Sequence, residues 1–242
     1  MNRLTALIHG DSGTGKSWLA DTAPGPRLVL DAELRSAFTP SHKILWDPRT
    51  DFPADLTEDD TVVVKVRSFQ DLEVTYQRIQ AGHPFNSIII DSLTEVQDRL
   101  VDAIAGTQQM QMQDWGKLLR DLASYVRRFR DLRDHPTHPL LAFIAIAGTK
   151  TFDGKERPLL QGQIKDKIPY WFDLVGYVLP YMDEGVVRRS LVVQPYVGNY
   201  EAKDNTGLIT AHYGPTVPEP NITDIIRALN ASGTEEKENS NA

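Results

Sequence analysis

One run near the start of the chain limits what it can become. Gly10-Asp11-Ser12-Gly13-Thr14-Gly15-Lys16-Ser17 fits the spacing G-x-x-x-x-G-K-[ST]. The apolar run Leu4, Ala6, Leu7 and Ile8 precedes it, and the helix-like Ser17-Trp18-Leu19-Ala20 follows. Glycines let the backbone curl until successive N–H groups point inward at phosphate oxygens, and the N-terminus of a following helix adds its positive end. Lys16 is then expected at the β- and γ-phosphates of a nucleoside triphosphate and Ser17 at Mg²⁺.

Such a loop needs an acidic partner at the end of a buried strand, and Ser87-Ile88-Ile89-Ile90-Asp91-Ser92 supplies one. Continuous β-branched residues suit a parallel strand covered on both faces, which places Asp91 at its carboxyl end as a Mg²⁺ residue. Asp91 also suits the cap of a helix beginning near Ser92, a role compatible with the first. Because Ser rather than Glu follows Asp91, the group that orients an attacking water must lie elsewhere. Glu33, after the strand-like Arg27-Leu28-Val29-Leu30-Asp31-Ala32, is one candidate, and Glu95, a helical turn beyond Asp91, is the other. Strand-end geometry favours Glu33.

Together, Gly10 to Ser17, strand-end Asp31-Ala32-Glu33 and Ile88-Ile89-Ile90-Asp91-Ser92 resemble the RecA-type ATPase core, specifically the small phage RecA-like ATPases of single-strand annealing and recombination. Weaker resemblance continues through Gln113 to Leu118, Leu141 to Ala147, Ile168 to Val175 and Glu201 to Asp204. It implies an α/β fold: a RecA-like P-loop NTPase with a mostly parallel central sheet, flanking helices and antiparallel edge strands. It also implies ATP with Mg²⁺, Glu33 as the water-activating base, and a DNA-stimulated ATPase that works as a homo-oligomer on single-stranded DNA. A single-strand-binding or other recombination protein would be its companion. Lys203, in Glu201-Ala202-Lys203-Asp204, would reach the ATP of a neighbouring subunit. Asn205 stands where those ATPases often carry a second basic residue, so a two-pronged finger is not expected.

Leu140 to Ala147 reads as another buried strand, ending at Gly148-Thr149-Lys150. A polar residue at such an end can sense the γ-phosphate and move the next loop, which makes Thr149 the candidate sensor. That loop, Lys150-Thr151-Phe152-Asp153-Gly154-Lys155-Glu156-Arg157, combines cations with one aromatic. Lys150, Lys155 and Arg157 suit phosphates and Phe152 suits a stacked base, the usual means of holding single strands without sequence preference. A hairpin without a ligand is the competing reading.

Elsewhere the pattern predicts a surface excursion over 47–60, a strand at Val62 to Val66, and helices after Asp91 and from Trp115 to Leu132. Arg120, Arg127 and Arg130 share a face of the second helix, where a solvated surface is the default. Strands are expected at Val175 to Pro180 and Val186 to Gln194, then a short helix at Ile222 to Leu229. Residues 1–230 are expected to form a single domain, and the polar, acidic 231–242 to be disordered. His135 and His138 lack carboxylate partners, so no metal site is expected there.

Composition narrows the function classes. With no cysteine among 242 residues there are no disulfides, thiolate metal sites or thiol nucleophiles. The formal charge of −7 argues against a surface that coats nucleic acid over its whole area, while leaving local basic loops open. No apolar run is long enough to cross a bilayer and no secretory leader is evident, so the expected location is cytoplasmic, that of a bacterial host if the gene is a phage's. Two other uses of the γ-phosphate remain: a scaffold or loader acting on a protein partner, and a small-molecule kinase. No arginine-rich lid supports the kinase.

Overall fold

The computed structural model describes the backbone of residues 3–239 and the side chains of residues 3–231. In chain order the strands are β1 (Leu4–His9), β2 (Arg27–Asp31), β3 (His42–Leu45), β4 (Asp60–Lys65), β5 (Ser87–Asp91), β6 (Ala142–Ala147), β7 (Thr149–Phe152), β8 (Lys155–Pro158), β9 (Leu174–Asp183), β10 (Val186–Val192), β11 (Lys203–Asp204) and β12 (Thr216–Pro218). The helices are α1 (Lys16–Ala20), α2 (Phe69–Ile79), α3 (Leu93–Ala105), α4 (Met112–Asp131), α5 (Ile164–Lys167), α6 (Leu208–Tyr213) and α7 (Ile222–Asn239).

The main sheet runs β12-β10-β9-β1-β6-β5-β2-β4-β3, with β11 on β9. From β9 to β3 every pairing is parallel, while β10, β11 and β12 add antiparallel pairings at one side. The fold is therefore the α/β architecture with a mostly parallel sheet and antiparallel edge strands that the sequence implied.

Strand alternation divides the interior into two cores. Leu7, Leu28, Leu30, Ile88 and Ile90 face one side, with Leu72 of α2, Val96 of α3 and Phe129 of α4. Their neighbours Ala6, Ile8, Val29, Ile89 and Ile144 face the other, with Leu19 of α1, Ile209 of α6 and Ile225 of α7. Burial on both faces is why these strands read as unbroken apolar runs.

Three local differences from the sequence pattern have physical causes. β3 is an edge strand with exposed ends, so it lacks the apolar signal of its neighbours. β12 lies in the proline-rich stretch Pro215 to Pro220, a composition typical of turns; as the outermost strand beside β10 it tolerates Pro218. Helix α7 runs to Asn239, beyond the short helix expected, and Glu235 to Glu238 are good helix formers that let an established helix propagate. Residues 240–242, the end of the expected acidic tail, lie outside the described residues.

Candidate functional site

Parallel register brings the functional segments to one end of the sheet. Asp31 aligns with Asp91 across β2 and β5, and His9 aligns with Ala147 across β1 and β6. Since β6 lies between β1 and β5, the loop after β1, Asp91, Glu33 and the Gly148-Thr149 turn surround one crevice at the carboxyl ends of the strands, the usual ligand position in open α/β sheets. This cleft holds about 500 Å³ and is lined by Gly10 to Gly13, Gly15 to Trp18, Glu33, Asp91 and Thr149, among others.

The loop is held in shape by its own groups. The Thr14 hydroxyl donates to the Asp11 carbonyl at 2.9 Å, and Gly13 and Gly15 adopt φ of 79° and 93°, which suit glycine. Lys16 Nζ donates to the carbonyls of Gly10 at 2.9 Å and Asp11 at 2.7 Å. An ammonium has three donors, so the third is left for a ligand phosphate. Helix α1 has only five residues, so its dipole is small and adds little to what the loop's N–H groups can offer an anion.

Burial lowers the Lys16 ammonium below its ordinary value, against the opposing pull of Glu33, Asp91 and Asp11. Asp91 is pushed up to about 6, first by burial and then by the carboxylates of Glu33 and Asp31; a hydrogen bond from the Ser17 hydroxyl and the charge of Lys16 oppose the rise. Ser17 and Asp91 thus adjoin as a hydroxyl and a carboxylate, hard oxygen donors that fit Mg²⁺.

Glu33 lines the cleft, whereas Glu95 is not among the lining residues and pairs with Arg99 at 3.1 Å. The loop bearing Glu33 is anchored twice. Its Ala32 and Glu33 N–H groups donate to the Asp91 carbonyl at 2.7 and 3.2 Å. The buried Asp31 carboxylate accepts from Arg35 N and Ser36 N, both at 3.1 Å, and from Ser36 Oγ at 2.7 Å. Asp31 is therefore a clamp rather than a ligand.

Thr149 begins a two-stranded hairpin, β7–β8, turned at Asp153-Gly154 with φ of 51° and 72°, the left-handed pair a tight hairpin favours. Its hydroxyl lies 3.0 Å from the Arg157 carbonyl and 3.2 Å from His9 Nδ1. Lys150 is exposed at the hairpin, Lys155 is half-buried, and Phe152 carries Lys165 Nζ 3.6 Å from its ring centre. Arg157 is turned into ion pairs with Asp166 and Glu201, both at 3.4 Å. Lys203 lies on β11, away from its own chain's cleft, with its ammonium 5.8 Å from the ring centre of Tyr170. The arginines of α4 are largely engaged: Arg128 with Glu73 at 2.9 Å, Arg130 with Asp131 at 2.7 Å, and Arg127 over Trp171.

Sequence reasoning missed several residues at or beneath the cleft. Trp18 and Phe38, 53% and 77% exposed and joined by a Trp18 Nε1 bond to the Phe38 carbonyl, form an apolar rim on which a base can lie. His9 is buried beneath the loop, and its only sequence signal is a polar residue closing an apolar strand. Arg189 arrives from β10 and has no local signal at all.

The model of the AAA domain family matches residues 2–206, from β1 through β11, and so includes every cleft-lining residue. The chain belongs to this family. It is thus a P-loop ATPase of the AAA domain type, and Gly10 to Ser17 carry the P-loop spacing. No curated protein matches the sequence. Among the described residues of this AAA domain protein, no helix is long and apolar enough to cross a membrane, and no group of three or more His, Cys, Asp or Glu side chains is arranged to hold a metal.

Proposed function

We propose that the chain hydrolyses ATP at this cleft and uses the cycle to act on single-stranded DNA in annealing or recombination. The observation carrying the reading is the convergence of Lys16, Ser17, Asp91 and Glu33 on one cleft whose far wall, Thr149, is the first residue of the cationic β7–β8 hairpin. Phosphates lie over the N–H groups of Gly13 to Ser17, with the free donor of Lys16 at the β- and γ-phosphates. Ser17 and Asp91 hold Mg²⁺, which neutralises charge on the phosphates when bound. Glu33, anchored through Asp91 and Asp31, orients the water for in-line attack.

Thr149 supports coupling of nucleotide state to the hairpin. Its one hydroxyl proton has two acceptors, the Arg157 carbonyl and His9 Nδ1, so a small displacement at the γ-phosphate changes which is used. Lys150, Phe152 and Lys155 then meet the strand, with Lys165 beside Phe152. Lys203, remote from its own cleft, suits an ATP held by a neighbouring copy, which makes the active unit a homo-oligomer. A second reading, a nucleotide-timed loader acting on a protein, is favoured by the tip of the β9–β10 hairpin, where Met182, Val186 and Val187 are exposed.

Steady-state ATP hydrolysis with and without single-stranded DNA decides between these readings, with duplex DNA and Lys16→Ala as controls. Stimulation by single strands that vanishes in Lys16→Ala, and weakened strand binding on joint replacement of Lys150, Lys155 and Arg157, are the expected results. Turnover indifferent to DNA, with no DNA binding at low salt, refutes the DNA reading and leaves the loader.

A further inference from the structure

We propose that Arg189 binds the nucleotide's phosphates from within the same chain, an inference that rests on the ATP reading above. Arg189 projects from β10 to the P-loop, where its Nε donates to the Thr14 carbonyl at 2.9 Å, and it lines the cleft with Lys16 and Ser17. The approach is close. A Cβ on Gly15 would come within 2.3 Å of Arg189 Nε and 2.9 Å of its Cδ and Cζ, so this glycine makes room for the arginine as well as supplying its φ of 93°.

The guanidinium is otherwise unpaired. It carries five N–H donors, and among the described residues only the Nε–H has an acceptor. Among the described residues no carboxylate lies within ion-pair distance of it, in contrast to its neighbour Arg188, which pairs with Asp183 at 2.8 Å and Glu219 at 4.0 Å. Glu219 takes the backbone instead: its carboxylate accepts the Arg189 N–H at 3.2 Å, and its own N–H donates to the Arg189 carbonyl at 2.9 Å. The strand is thus fixed while the fork is left open over a phosphate cradle. A planar guanidinium with both terminal nitrogens free matches two phosphate oxygens at once, and a half-buried setting strengthens the attraction.

The test is calorimetric titration of ATP into the full chain, comparing the unaltered protein with Arg189→Gln, Arg189→Lys and Lys16→Ala, alongside unfolding midpoints without ligand. Arg189→Gln keeps the stem over Gly15 and removes the charge. It is expected to weaken ATP binding about tenfold or more at an unchanged midpoint, with Arg189→Lys losing no more than Arg189→Gln. ATP affinity in Arg189→Gln within twofold of the unaltered protein, while Lys16→Ala loses binding, overturns the assignment and leaves the ATP reading intact. Equal losses in both Arg189 variants with a lowered midpoint overturn it too, since they mark a structural role. Absence of ATP binding by the unaltered protein, or full binding by Lys16→Ala, refutes the ATP reading itself.

Discussion

Replacing His9 with glutamine should flatten the acid side of the stability profile. His9 Nε2–H donates to the Glu201 carbonyl at 2.7 Å, and since a carbonyl only accepts, the proton of the neutral ring sits on Nε2 and Nδ1 faces the Thr149 hydroxyl. Burial lowers the ring from 6.5 to about 4; the Glu201 carbonyl opposes this, and the charges of Lys16 and Lys155 add to it. The unfolded chain therefore takes up a proton below about pH 6.5 that the folded chain refuses until about pH 4. Stability is complete above that window, falls as the pH drops through it, and levels off below it. Integration over the two titrations gives a loss of about 2 kcal/mol between pH 7 and pH 5 attributable to His9 alone. His83, also lowered to about 4 by burial and by His138 and His135, contributes equally to both proteins and cancels in the comparison. Glutamine offers an amide N–H to the Glu201 carbonyl and does not titrate. Urea unfolding at pH 7 and pH 5 should thus show the unaltered protein losing about 2 kcal/mol more than His9→Gln. Equal losses in the two proteins refute the account, because they require the His9 proton to bind the folded and unfolded chains alike.

Two further perturbations probe the cleft wall and the sheet. Asp31→Ala strands the N–H groups of Arg35 and Ser36 and the Ser36 hydroxyl, so it should cost about 2–4 kcal/mol in denaturant unfolding and reduce ATP turnover more than ATP affinity. Unchanged turnover would show that this clamp does not position Glu33. Gly176→Ala places a methyl 2.6 Å from Leu191 Cδ1 in the interior between β9 and β10, which should cost roughly 1–3 kcal/mol. Combining it with Leu191→Ala should cost less than the sum of the two single changes, and strict additivity would mean that the two side chains do not meet.

What the sequence could reveal depended on how local the cause was. The P-loop is legible because its glycines, lysine and serine all act within one turn of chain, and β5 and β6 are legible because strands covered on both faces have to be apolar throughout. β3 escaped notice because an edge strand can carry polar side chains, His42 exposed and Lys43 paired with Asp21 at 3.3 Å, and β12 because its proline reads as punctuation. Asp31 looked like part of an acidic motif. Only its three hydrogen bonds distinguish a residue that holds the loop from Glu33, which the loop presents to the cleft. Arg189 lies 175 residues beyond the Thr14 carbonyl it contacts, and nothing in its surroundings of Val186, Val187 and Arg188 marks it.

These cases share a cause. The segments that bind the phosphate chain are contiguous, whereas the groups that would respond to it belong to other strands and meet it only through the order β10-β9-β1-β6-β5-β2. β6 sets Thr149 on one side of the P-loop, and the antiparallel return of β10 sets Arg189 on another. Each leads into a hairpin, β7–β8 through Thr149 and β9–β10 through Arg189. The β7–β8 hairpin lies outside the main sheet, and the tip of β9–β10 extends past the last pairings with β1 at Tyr177 and with β12 at Ser190. If one γ-phosphate engages both Thr149 and Arg189, its loss should relax the two hairpins together. Hydrogen exchange measured with ATP bound and after hydrolysis should then show correlated changes at residues 150–157 and 181–188 and little change in β1, β5 and β6. Protection that changes in one hairpin only would mean that Thr149 and Arg189 answer to different parts of the nucleotide.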